Sequence, residues 1–183
     1  WNSSKATTQG LSAESMYSKI SSSVMSGEDT SPRLRSNVGI AVARRKDDIK
    51  EITKLLDECR ALKIEVLGPD VNESHANFGV NSKSQIRFGL MAIKGLGESA
   101  AEAIVKEREN NGPYKDLFDF VQRVPMSSVK RSGMECLALS GAFDAFKEQI
   151  RREQFFGLNA KGELFLDTLT RYGNSYQQSM MEA

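Results

Sequence analysis

The chain has 183 residues, with 25 Lys+Arg against 24 Asp+Glu and a formal net charge of +1. That length suits one domain, or one domain with an appendage, able to bury roughly 70% of its unfolded surface. No run approaches the ~18 apolar residues of a membrane span, and no basic segment followed by an apolar one opens the chain, so neither a transmembrane helix nor a secretory signal is expected. The balanced charge excludes binding to nucleic acid through a broad basic face; any such binding has to use oriented backbone donors and a few local cations. The opening residue, Trp1, is what a fragment of a longer protein presents.

Residues 1–45 are rich in serine and form a weakly ordered segment in this reading, because serine side chains compete for backbone hydrogen bonds and bury little. Leu11, Met16, Tyr17, Ile20 and Val24 offer at most a turn or two of amphipathic helix. From Asp47 the pattern sharpens. Ile49, Ile52, Leu55, Leu56, Cys59 and Leu62 share one helical stripe, with Asp48 and Glu51 spaced as a capping box, which predicts a helix over about 48–62. Ile64–Val66 reads as a short strand stopped by Gly68-Pro69. Residues 69–74 read as a turn, and Phe78–Val80 with Gln85–Phe88 as a small hairpin. Asp70 and Glu73 are read as caps for their own loop rather than cation ligands, and the lone His75 as a solvated loop residue.

A short apolar run, Gly89–Ile93, leads into Lys94-Gly95-Leu96-Gly97, after which Ala100, Ala101, Ile104 and Val105 mark a helix that Gly112-Pro113 ends. Leu117, Phe118, Phe120 and Val121 predict a further short helix, with Asp116 and Asp119 as solvated charges on one face. Val129, Met134, Leu137, Ala138 and Leu139 predict another, closed by Ser140-Gly141. Helical stretches follow around 145–156 and 162–180. The Gly141 segment reads as a diverged twin of the Gly95–Gly97 unit. Cys59 and Cys136 lie far apart within apolar patterns and read as buried reduced thiols, which favour an intracellular compartment.

Short helix, Gly-x-Gly, longer helix is the helix-hairpin-helix pattern. The glycines permit a tight turn and, lacking Cβ, the close approach of a phosphate. The amides of Gly97, Glu98 and Ser99 are then unpaired donors at the positive end of a helix dipole. Leu96 turns inward as the anchor, Lys94 adds a cation and Ser99 a hydroxyl, while Glu98 opposes phosphate unless it points away. Such a site holds backbone and ignores bases. The same pattern also suits a helix–helix turn with no ligand, and both readings stand at this point. Bulky replacements at Gly95 and Gly97 are expected to abolish phosphate binding without unfolding the chain. No catalytic residues are assigned: there is no nucleophile turn, no metal-ligand spacing around His75 and no aspartate pair on adjacent strands as two-metal chemistry requires.

Several strings in series resemble the bacterial DNA polymerase III α subunits, the C-family replicative polymerases. They are Asp57–Arg60, Ile64–Ser74, Ile86–Leu90 with Ala92–Gly97, Gly112–Tyr114, Leu117–Phe120 and Ser140–Asp144. Their order and spacing match the end of the fingers region and the helix-hairpin-helix segment after it. The resemblance implies template-directed DNA synthesis in the cytoplasm by a nucleotidyltransferase. It implies duplex DNA as the partner of this segment and other replisome subunits as partners of the longer chain. The catalytic aspartates and their magnesium would lie in an upstream palm, leaving this portion inactive alone and without a cofactor of its own. Asn2-Ser3-Ser4-Lys5-Ala6 only echoes the family's Asn-Lys-Ser-His-Ala string and residues 7–45 match little, so no nucleotide contact is carried onto them. The sequence thus predicts a mainly α chain with a small β element. Its expected parts are residues 1–45, the end of the fingers over 46–88, the helix-hairpin-helix region over 89–147 and a helical linker over 148–183. Its expected site is Lys94, Gly95, Leu96, Gly97, Glu98 and Ser99, with no metal and no membrane contact. The alternative is an interaction module whose hairpin packs on a protein partner without touching DNA.

Overall fold

A computed structural model describes residues 46–182, with side chains from Thr53 onward; the expectations for residues 1–45 and for the Asp48/Glu51 capping box lie outside it. The described part is mainly helical with one small sheet. Helix α1 spans Lys46–Ala61, and strands β1 (Val66–Leu67), β2 (Gly79–Val80) and β3 (Ile86–Arg87) follow. A 3-10 turn at Leu90–Ala92 precedes α2 (Glu98–Asn111), α3 (Leu117–Arg123) and α4 (Met126–Ser140). Two further 3-10 turns, Asp144–Phe146 and Arg152–Phe156, lead to α5 (Phe165–Met181).

The first strand begins later than the apolar run suggests. The amide of Ile64 still closes α1, donating to the Cys59 carbonyl at 2.8 Å, while Lys63 sits at φ 56 and donates to Arg60. This is the helix-ending bond pattern that glycine ordinarily supplies. Pairing therefore starts at Val66. The sheet order is β1-β3-β2, with β1 parallel to β3 (Val66 opposite Ile86) and β2 antiparallel to it (Val80 opposite Ile86). Its apolar side closes on α1 in a small core of Leu55, Cys59, Phe78 and Ile86, where the Phe78 and Phe88 rings lie 4.7 Å apart.

The 70–74 turn joins this unit to the helices. The Asp70 carboxylate accepts from the Asn72 and Glu73 amides, and burial pushes its carboxyl up despite those bonds. Ser74, fully buried, accepts from the Asp70 amide and donates to the Phe88 carbonyl. Arg108 of α2 reaches back, its guanidinium donating to the carbonyls of Val71 and Ser74 at 2.8 Å each. A buried guanidinium needs acceptors on the spot, and the turn supplies them.

The larger core runs from Leu90 through α2, α3 and α4 to α5, with Phe120, Phe143, Phe155, Ile104, Met134 and Leu137 among its fully buried side chains. Two expectations change here. Leu139 is 62% exposed, because at 100° per residue it points away from the inward-facing Leu137 and Ala138. Asp116 and Asp119 are structural rather than idly solvated: Asp116 caps α3 by accepting from the Asp119 amide at 2.7 Å, and Asp119 holds the Lys115 amide and Arg123. Within the stretch expected as a helical linker over 148–183, the described helix α5 meets the core. α5 packs Leu166, Leu169, Thr170 and Gly173 into the same core, so closely that a Cβ on Gly173 would lie 3.0 Å from Val121.

Candidate nucleic-acid interface

The predicted site forms one turn. Ile93 and Leu96 are buried on its inner side, and the Leu96 amide donates to the Ile93 carbonyl at 3.1 Å. Lys94, Gly95, Glu98 and Ser99 are exposed on the outer side, with Gly97 half-buried between them. Leu96, 1% exposed, seats against α4 where that helix narrows at Gly133: a Cβ there would stand 3.2 Å from the leucine methyl.

The two glycines serve different ends. Gly95 has φ +89, and a Cβ on it would meet the Cys136 sulfur at 2.8 Å. Gly97 has φ −74 and ψ 153, an ordinary extended conformation, and a Cβ on it would meet nothing within 4 Å. The fold requires glycine at 95 and does not at 97. This corrects the expectation that both positions tolerate bulk without harm to the fold.

Gly97 is the N-cap of α2, and no side chain caps the helix. Its carbonyl accepts from the Ala100 and Ala101 amides at 3.1 and 3.0 Å. Among the described residues the amides of Gly95, Gly97, Glu98 and Ser99 donate to nothing. Helices normally satisfy such orphans with Ser, Thr, Asp or Asn at the cap. A bare glycine cap on a 14-residue helix leaves a cluster of outward donors with the positive dipole end behind them. Lys94 and Glu98 join no ion pair among the described residues, so the turn carries one cation and one anion, both solvated.

The far end of α2 is fixed by a separate cluster. Gly112 (φ +82) donates to the Arg108 carbonyl, and Arg123 binds Glu107 at 3.0 Å, Asp119 at 2.9 Å and the Gly112 carbonyl at 2.8 Å. Its guanidinium lies 4.7 Å above the Tyr114 ring, whose hydroxyl donates to the Ile104 carbonyl. Burial pushes Asp119 up, but the Lys115 amide and Arg123 together outweigh it and hold the carboxyl below its ordinary range. Burial likewise pushes the Tyr114 phenol well above the tyrosine range.

Sequence reasoning missed the floor of the turn, Gly133 and Cys136 on α4. A glycine inside an otherwise helical pattern was the available signal for close packing there. Cys136 is half-buried rather than buried, and burial first, then Glu135, pushes its thiol up; Cys59 is fully buried. His75 is exposed, and only its backbone carbonyl is engaged, accepting from Leu90. No group of three or more His, Cys, Asp or Glu side chains suited to a metal exists among the described residues, and no described helix is long and apolar enough to cross a membrane.

This arrangement of short helix, glycine turn and uncapped second helix defines a class, and the chain belongs to it: residues 63–154, half of its length, match the family model of the helix-hairpin-helix motif. Its relatives are more particular. It is 48% identical over 101 residues to the DNA polymerase III subunit alpha of Chlamydia trachomatis serovar D, covering 55% of this chain and 8% of that protein. It is 43% identical over 106 residues to the same subunit of Thermus aquaticus, covering 58% of this chain and 9% of the relative. It is 43% identical over 110 residues to that of Deinococcus radiodurans, covering 60% and 8%. The similarity to the polymerase III α subunits expected from the sequence is thus present, over a stretch that is under a tenth of each relative.

Proposed function

We propose that this chain is a portion of a replicative DNA polymerase α subunit that holds the backbone of duplex DNA through its Lys94–Ser99 turn, without regard to base sequence. The uncapped, outward-facing amide cluster at Gly97–Ser99 carries this reading. An orphan donor at a helix start has to be met by water or by a ligand acceptor, and a phosphate oxygen is the acceptor the dipole favours. Gly97 supports it further, since the fold leaves room for a side chain there and the sequence has none. Lys94 supplies the cation. Nucleotidyl transfer, with its catalytic aspartates and magnesium, belongs in this reading to other parts of the subunit, as do contacts to the rest of the replisome.

The test is a fluorescence-anisotropy titration of the chain with labelled duplexes of unrelated sequence. Binding is expected to be weak and alike across sequences. Gly97→Ala places a methyl where the phosphate approaches and should weaken it by about tenfold, the loss of one charge-assisted hydrogen bond, with an unchanged unfolding midpoint. Affinity untouched by Gly97→Ala would overturn the proposal and favour a hairpin that serves a protein partner instead.

A further inference from the structure

Gly133 lies on α4 beneath the Lys94–Ser99 turn, where it is buried. Its backbone is not in the left-handed region that Gly95 and Gly141 occupy, so the freedom of a glycine is not what the position uses. Alanine forms helix better than glycine. What Gly133 supplies is the absence of a side chain. A Cβ there would stand 3.2 Å from a Leu96 methyl and 3.2 Å from a Val129 methyl, closer than the about 3.5–4.0 Å at which carbons pack best. A neighbour would have to give by a few tenths of an ångström, and what stands behind each neighbour decides which. α4 is fastened on its far side to α5: the Met126 amide donates to Gln177 at 3.2 Å and Arg131 Nε to Asp167 at 2.8 Å. Val129 is enclosed in the same core as Met134, Leu137 and Ala138. Leu96 instead belongs to a turn whose outer face, with Lys94, Gly95, Glu98 and Ser99, is exposed. The hairpin is the part free to move outward.

We infer that Gly133 is a positioning residue for the phosphate site: lacking a Cβ, it sets the depth of Leu96 and thereby where the amides of Gly97, Glu98 and Ser99 stand. This rests on the reading of the Lys94–Ser99 turn given above. Gly133 itself meets no phosphate. Leu96 is joined to the Gly97 amide by one rigid peptide plane, so lifting the leucine moves the first donor of α2 with it. Hydrogen bonds to a ligand weaken when the donor is misplaced by about half an ångström. A displacement that a core absorbs without harm is therefore felt at the amides.

The experiment compares Gly133→Ala, Leu96→Val and the double variant of the full chain by two readouts. One is the amide NMR signals of Gly97, Glu98 and Ser99 without DNA; the other is the anisotropy titration with duplexes of unrelated sequence. Gly133→Ala should move the three signals and weaken binding by about threefold, part of one charge-assisted hydrogen bond, with an unfolding midpoint no lower than before. Leu96→Val removes the methyl that the new Cβ would meet. It should shift the same signals on its own by loosening the anchor, and in the double variant return signals and affinity close to their starting values. Signals and affinity untouched by Gly133→Ala, or changed and not restored in the double variant, would overturn the inference. If Gly133→Ala folds too poorly to titrate, unmoved signals in Leu96→Val alone would overturn it. Signals that move and return in a chain that binds no duplex would keep the positioning role and remove the DNA reading.

Discussion

At position 97 the backbone takes φ −74 and ψ 153, where any residue is at ease, whereas at 95 it takes φ +89 with the Cys136 sulfur on the open side. Substitution should therefore separate stability from binding. Gly95→Ala is expected to destabilise by about 1–3 kcal/mol, read from urea unfolding, because a left-handed backbone and a close sulfur oppose the new Cβ. Gly97→Ser should do the reverse. Its hydroxyl can cap α2 and add a few tenths of a kcal/mol, while taking up an amide that the proposed function reserves for phosphate. A variant more stable and less able to bind DNA is the pattern expected of a residue kept for a ligand. Asp119 yields a third prediction. Its folded-state pKa is lowered, so its contribution is complete above about pH 4, the ordinary aspartate value, and is lost as pH falls through the lower folded value. Asp119→Asn should flatten that part of the acid limb in unfolding midpoints measured between pH 2 and 5.

Each helix end is settled by neighbouring residues. α3 starts where Asp116 caps the Asp119 amide and stops at Val124 before Pro125; α4 closes at Gly141 in the left-handed region. α1 ends less comfortably, with Lys63 in a conformation suited to glycine. Lys63→Gly should raise stability by about 1 kcal/mol, a gain that equilibrium denaturation would detect. α4 is interrupted as well: Lys130, at φ 56 and ψ 170, separates Met126–Val129 from Arg131–Ser140. That break resets the phase of the helix. It lets both Val129 and the Met134–Leu137 stripe face the core, with Gly133 and Cys136 beneath the hairpin.

The helices are one cooperative body because α5 completes the core. Phe165, Leu166 and Leu169 close over α3, α4 and the Phe143–Phe155 stack, whose rings are 5.5 Å apart, and Gln177 donates to the carbonyls of Val121 and Val124. Leu169→Ala should cost about 2–5 kcal/mol and lower the single unfolding transition as a whole. Two transitions, with the hairpin surviving the first, would contradict that. The hairpin is held by this body through Leu96 and Gly95, so loss of α5 packing should reach it.

The elements and the backbone turn of the candidate site are legible where a few adjacent residues decide them: the apolar stripe of Ala100, Ala101 and Ile104, the stop at Gly112-Pro113, the turn at Lys94–Gly97, the inward Leu96. Periodicity and turn chemistry act over one or two turns of chain and can be read from one end to the other. What distant residues do was not legible. That Cys136 lies under Gly95, that Gly97 opens on free space, that Arg152 lies against Gly141 and that α5 docks on the core all depend on which faces meet. Those pairings are fixed only when the whole apolar surface is buried at once, by packing that no local stretch of sequence specifies.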